Sequence, residues 1–112
     1  MIKVKLPFGY KCLNGENVWV NPLGYDTGEV SNLPFFATKY KYKDIIKFDP
    51  NTWEFLEKVA DGGFTRTKVY EYMGDFSEEK AYWESKGYIV ESFAPGILGI
   101  SRRRFKKAVA EK

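Results

Sequence analysis

Turn-forming residues interrupt residues 1–73 so often that only short strands fit between them. Asn14-Gly15, Asn21-Pro22, Gly24, Asp26-Thr27-Gly28, Asp49-Pro50-Asn51 and Asp61-Gly62-Gly63 each set φ, free it, or remove a backbone donor. In the first interval Ile2, Val4 and Leu6 alternate with Lys3 and Lys5, a period of two that predicts a strand with one wet, basic face. Gly9 to Asn17 reads as a loop turning at Asn14-Gly15, and Val18-Trp19-Val20 as a second strand ended by Asn21-Pro22. Val30 leads into Asn32-Leu33-Pro34-Phe35-Phe36, where proline removes a ladder donor, so that segment belongs at a sheet edge or bulge. Ile45 to Phe48 is a short strand stopped by Asp49-Pro50-Asn51, Trp53 to Val59 is its hairpin partner, and Phe64 to Met73 follows the next turn.

The pattern changes after Gly74. Asp75 followed by Glu78 is a capping box, Glu78 and Glu79 occupy a first helical turn where the helix dipole favours negative charge, and Lys86-Gly87 closes the helix. Phe76 and Trp83, seven apart, share one face of it. Tyr88 to Phe93 and Ile97 to Ser101 form a hairpin around Ala94-Pro95-Gly96, and Phe105, Ala108 and Val109 mark a short C-terminal helix. The expected fold is α+β, in one domain spanning 1–112 with 1–73 mostly β and 74–112 the strand and helix half: a small, strongly bent or barrel-like antiparallel sheet followed by a split βαβ, ferredoxin-like unit with a short C-terminal helix. Aromatic residues make up 18% of the chain, and at about 150–250 Å² per enclosed ring they suffice for a core at this size.

Missing residue types narrow the chemistry. With no histidine and Cys12 as the sole cysteine, neither a Cys/His zinc site nor a Ser-His-Asp or Cys-His catalytic arrangement can be built within one chain. Acid–base chemistry near neutral pH would fall to Asp, Glu, Lys or Tyr with shifted pKa values. Cys12 makes no internal disulfide and reads as a small half-buried residue. No glycine-rich phosphate loop or calcium loop occurs, so no metal or cofactor is expected. Met1 to Leu6 lacks the apolar run of a signal peptide, and no segment approaches the ~20 apolar residues of a membrane span, so a cytoplasmic chain without membrane contact is expected. Eighteen Lys and Arg against fifteen Asp and Glu leave +3, which permits an anionic partner without demanding one.

Glu16-Asn17-Val18-Trp19-Val20, Gly28 to Ala37 with its Asn32-Leu33-Pro34-Phe35-Phe36 centre, and Tyr42-Lys43-Asp44-Ile45-Ile46 together resemble a bacterial group, domain-of-unknown-function family 4265. Its members share a tryptophan strand, an Asn-hydrophobic-Pro-Phe-Phe segment and a Gly-Asp-hydrophobic-hydrophobic step in that order. The resemblance covers about the first three fifths of the chain and implies a fold without an activity. Two departures are plain: Phe64 stands where the family often has a histidine, and Lys43 replaces the glycine before Asp44.

Three basic stretches are the candidate site. In Lys39-Tyr40-Lys41-Tyr42-Lys43 an extended backbone would project three ammonium groups to one side and two phenols to the other, which suits phosphates and stacked bases. The same run also reads as a solvated edge or loop with its tyrosines turned inward, the reading we favour for the run alone. Arg66 and Lys68 share one strand face with Phe64, Tyr70 and Tyr72. Arg102, Arg103 and Arg104, followed by Lys106 and Lys107, offer guanidinium groups to phosphate or carboxylate, with Phe105 as an apolar anchor. A non-catalytic module for an anionic ligand, nucleic acid or nucleotide, would use Lys39, Lys41, Lys43, Arg66, Lys68 and Arg102 to Arg104, with Tyr40 and Tyr42 as aromatic contacts. Two rivals stand: a protein-interaction or inhibitor module anchored on Tyr40, Tyr42 and Phe36, and a carboxylate enzyme using Asp44, Asp49 and Asp61, which otherwise bond local backbone at turns. Trp19, Trp53, Trp83 and the Asn32–Phe36 corner are expected in the core.

Overall fold

The computed structural model describes residues 1–10 and 13–104, and the fold is α+β. Strands β1 (Ile2–Tyr10), β2 (Leu13–Pro22), β3 (Thr27–Val30), β4 (Ile45–Phe48) and β5 (Phe55–Ala60) form an antiparallel meander in sequence order. The sheet curls strongly enough to bring its two edges, β1 and β5, near each other. Alternation explains the curl: Val4 and Leu6, Val18 and Val20, Val30, Ile46 and Phe48 all point inward and are buried, with Ala37 and Tyr40 from the β3–β4 connection filling the interior.

The second sheet has the order β6-β8-β7, from β6 (Lys68–Glu71), β7 (Ile89–Ala94) and β8 (Ile97–Ser101). Both β6 and β7 run antiparallel to β8, so they are parallel to one another, linked by α1 (Ser77–Ser85) with β8 in the gap. That is the split βαβ unit expected from the sequence. As the spacing predicted, Phe76 and Trp83 turn to the sheet, Phe76 against Tyr72 and Trp83 between Tyr70 (5.8 Å) and Tyr88 (5.0 Å). Glu78 and Glu79 lie in the first turn, and the Gly87 amide donates to Glu84 O at its end. The capping box does not form: the helix starts at Ser77, and Asp75 instead accepts from the Ser77 amide and hydroxyl, both at 3.0 Å.

Three local expectations are corrected. Gly9, Tyr10 and Leu13 to Asn17 are strand instead of loop, Pro7 pairing with Gly15 and Tyr10 with Leu13. A Cβ on Gly15 would lie 2.6 Å from the Leu6 carbonyl, so this glycine marks a close strand approach beside a bulge, a role it shares in sequence with turns. Asp26-Thr27-Gly28 turns the chain only at Asp26, since β3 begins at Thr27. Of Phe64 to Met73 only Lys68–Glu71 is strand, with Phe64 bridging singly to Arg103. Cys12 and the C-terminal stretch with Phe105, Lys106, Lys107, Ala108 and Val109 lie outside the described residues. Among the described residues no helix is long and apolar enough to cross a membrane.

The two sheets meet where Gly62 passes the β3–β4 connection. A Cβ on Gly62 would sit 2.2 Å from both the carbonyl carbon and oxygen of Lys43, itself held at φ +72°. Gly62→Ala must push two backbones apart, and we expect it to lower the unfolding free energy by about 1–3 kcal/mol. Urea denaturation checks this, and an unchanged midpoint would contradict it.

Candidate anion-binding groove

The Lys39–Lys43 run is not an extended strand. Its residues form consecutive turns, because Tyr40 is drawn into the core, 6% exposed, with its ring against Phe55. Burial pushes the Tyr40 phenol pKa up, with Lys58 opposing. Tyr42 packs edge-on against Phe64 at 4.9 Å. Neither phenol is therefore free to receive a base, and the inward-facing reading of the tyrosines holds. The ammonium groups diverge: Lys39 is exposed and lies 5.8 Å from the Tyr40 ring, Lys41 pairs with Asp61, and Lys43 pairs with Glu29 at 3.1 Å.

Asp44 and Asp61 organise this region. Asp44 is fully buried, accepting the Lys41 and Gly62 amides at 2.8 and 2.9 Å and pairing with Lys58 at 3.2 Å. Asp61 binds Lys41, Arg104 at 2.7 Å and the Gly63 amide, and these bonds, those of Lys41 and then Arg104 foremost, hold its carboxyl well below the usual carboxylate range. Arg104 thus shares Asp61 with Lys41, and Arg103 lies 5.0 Å over the buried Phe64 ring. Asp49 accepts the Asn51 and Thr52 amides in a separate turn. All three aspartates bond local backbone, as their turn positions predicted. Among the described residues no group of acids or cysteine is arranged to hold a metal.

Three of the remaining cations converge, while Lys39 and Arg103 stand apart. Arg66, Lys68 and Arg102 line one groove of about 340 Å³ with Thr65, Thr67, Tyr88 and Ile100. Register explains the meeting: Lys68 pairs with Ile100 and Ile89 with Ser101, so Arg102 emerges between the starts of β6 and β7, its guanidinium 6.0 Å from the Tyr88 ring. Thr65 locks the rim, its amide donating to Arg102 O at 2.8 Å and its hydroxyl accepting the Arg102 amide at 3.1 Å. Arg66, Lys68 and Arg102 are exposed, and among the described residues none forms an ion pair, unlike Lys41, Lys43, Lys47, Lys58 and Arg104. Tyr70 and Tyr72, expected beside the basic pair, are half-buried and touch the rings of α1, so the aromatic of the groove is Tyr88. Its signal was its place just before a strand that pairs with β8, whose end leads into Arg102.

Trp19 and Trp53 are a further correction, since each is 47% exposed instead of core. Of the Asn32–Phe36 corner Leu33, Pro34 and Phe35 are buried as expected, but Asn32 is half-buried and Phe36 is 45% exposed; Asn32 Oδ1 accepts the Trp19 amide at 2.6 Å. Two carboxylates not singled out from sequence complete it. Glu16 accepts the amides of Phe35, Phe36 and Ala37, and Glu91 on β7 accepts that of Leu33 at 2.8 Å. No family model, curated protein or solved structure matches the chain, so the resemblance of residues 16–46 rests on those residues alone.

Glu91 and Asp61 respond to pH with opposite signs. Burial raises the Glu91 pKa above its ordinary 4.5 against the Leu33 amide, so its contribution to stability is full below 4.5 and is lost as pH rises through the raised value. The Asp61 pKa is lowered from 3.8, so its contribution is present above 3.8 and is lost as pH falls toward the lowered value. Glu91→Gln keeps an acceptor for Leu33 without the buried charge, and we expect it to be more stable than the parent at pH 7 and equal to it below pH 4.5. Chemical denaturation at the two pH values checks this, and a variant weaker at pH 7 contradicts it.

Proposed function

We propose that the protein is a non-catalytic binding module that holds nucleic acid, by its phosphates, in the groove of Arg66, Lys68, Arg102 and Tyr88. The observation that carries the reading is convergence: Arg66, Lys68 and Arg102, exposed and without ion pairs among the described residues, line one groove beside the Tyr88 ring. Two guanidinium groups offer bidentate geometry to phosphate oxygens, and a tyrosine ring offers a sequence-tolerant surface to a base. The test is titration of labelled single-stranded RNA and DNA at two salt concentrations. Three phosphate contacts at about −0.7 each give a log K against log salt slope of about −2. No binding at low salt, or binding indifferent to salt, overturns the reading.

A protein-interaction module is the second reading. It rests on the half-exposed Phe36 and Phe93, 5.0 Å apart edge to face, rather than on Tyr40 and Tyr42, which are engaged inside the protein. A partner that survives nuclease treatment in a pull-down favours it over the first.

A further inference from the structure

Cations also stand beside exposed rings on the outer face of the curled sheet. Lys3, Lys5, Pro7 and Asn17 from β1 and β2 line a groove of about 490 Å³ with Thr52, Trp53, Glu54 and Phe55 from the β4–β5 turn and the start of β5. Trp53 has φ +65°, a left-handed backbone that L side chains rarely adopt. The turn enforces it: the Trp53 amide donates to Asp49 O at 2.6 Å, the Asp49 amide to Glu54 O at 2.8 Å, and Asp49 Oδ1 accepts the Asn51 and Thr52 amides. The outcome of this backbone effort is a large ring left 47% exposed in a groove. Strain of this kind gathers at ligand sites, and core packing gives no account of it. Lys3 and Lys5 lie on one strand face, Lys3 with its ammonium 4.9 Å from Trp19, its cross-strand partner. Among the described residues neither lysine has an acid partner, and the two outnumber Glu54, the acid of the groove.

We infer that this groove is a base-stacking site for single-stranded nucleic acid, with Trp53 as the stacking ring and Lys3 and Lys5 as contacts to successive phosphates. The inference rests on the nucleic-acid reading above and narrows it to single strands, because only an unpaired base exposes a face to a tryptophan. Phosphate charge complements the lysines, and two lysines on alternate positions of a strand can each meet a different phosphate of an extended chain.

The experiment is a titration of oligo(dT) read by intrinsic tryptophan fluorescence and by anisotropy of a labelled strand. Trp53→Gly removes the ring and suits the left-handed backbone, so the variant is expected to fold as well as the parent. It is expected to lose most of the quenching on binding and to bind about 5- to 100-fold more weakly. Lys3→Gln with Lys5→Gln is expected to flatten the salt slope by about 1.4, two phosphates at about 0.7 each. If the parent binds and both variants bind like it with quenching intact, this site is overturned and the Arg66–Arg102 groove stands. If the parent does not bind oligo(dT) or RNA at low salt, both readings fall. Equal affinity for duplex and single strand also overturns the stacking site.

Discussion

Asp44→Ala is expected to lower the unfolding free energy by about 2–6 kcal/mol, the scale of stripping the acceptor from two buried backbone donors. The carboxylate has no exposed surface, and its oxygens hold the Lys41 and Gly62 amides while Lys58 pairs with it from β5. Alanine would orphan two backbone donors, at about 1–3 kcal/mol each when they stay dry, and leave the Lys58 ammonium with Asp61 alone at 3.7 Å. The damage would reach both sheets, because Lys41 also pairs with Asp61, which ties Arg104 beyond β8. Asp44→Asn, which keeps one acceptor oxygen, should fall between parent and alanine. Urea denaturation measures it, and a loss below about 1 kcal/mol for alanine would mean that the buried network contributes little.

Reversing the groove charges, Arg66→Glu with Lys68→Glu and Arg102→Glu, should weaken single-strand binding about 100-fold or more at 0.1 M salt. Three phosphate contacts each release about 0.7 of a counterion, which over one decade of salt below 1 M amounts to about two decades of affinity, before any repulsion from the new acids. All three side chains are exposed and make no ion pair among the described residues, so folding should be little affected. Lys43→Gln is the contrasting variant. Its ammonium is already matched by Glu29, and it should change affinity by less than about threefold. A loss of about tenfold or more from Lys43→Gln would contradict the account, since it would show that Lys43 meets the ligand despite its pairing with Glu29.

The architecture was legible where apolar alternation and turn chemistry agree. Ile45–Phe48, the hairpin of β7 and β8, and the helix that turns Phe76 and Trp83 to the sheet each follow from a local pattern. Gly15 was misread because a glycine that frees a turn and one that admits a neighbouring strand look alike in one sequence. The candidate site was half legible. Arg66, Lys68 and Arg102 share a groove as expected, whereas Lys41 and Arg104 both pair with Asp61 and Lys43 with Glu29, partners 14 to 43 residues away. Such pairings depend on how strands register, which no local pattern encodes. Trp19 and Trp53 escaped for a different reason: apolar character biases a residue inward but does not oblige it to be buried, and only the folded turn at Asp49 shows that Trp53 is held outward.

Amide chemical-shift mapping of the ¹⁵N-labelled protein during titration with a single-stranded oligonucleotide tests the claim that the groove of Arg66, Lys68 and Arg102, and not basic residues in general, holds the phosphates. The account predicts large shifts at Thr65 to Lys68, at Tyr88 and at Ile100 to Arg102, falling away as salt is raised, with Lys41 and Lys43 unmoved. Shifts centred on Lys41 and Lys43 with the groove silent would contradict it.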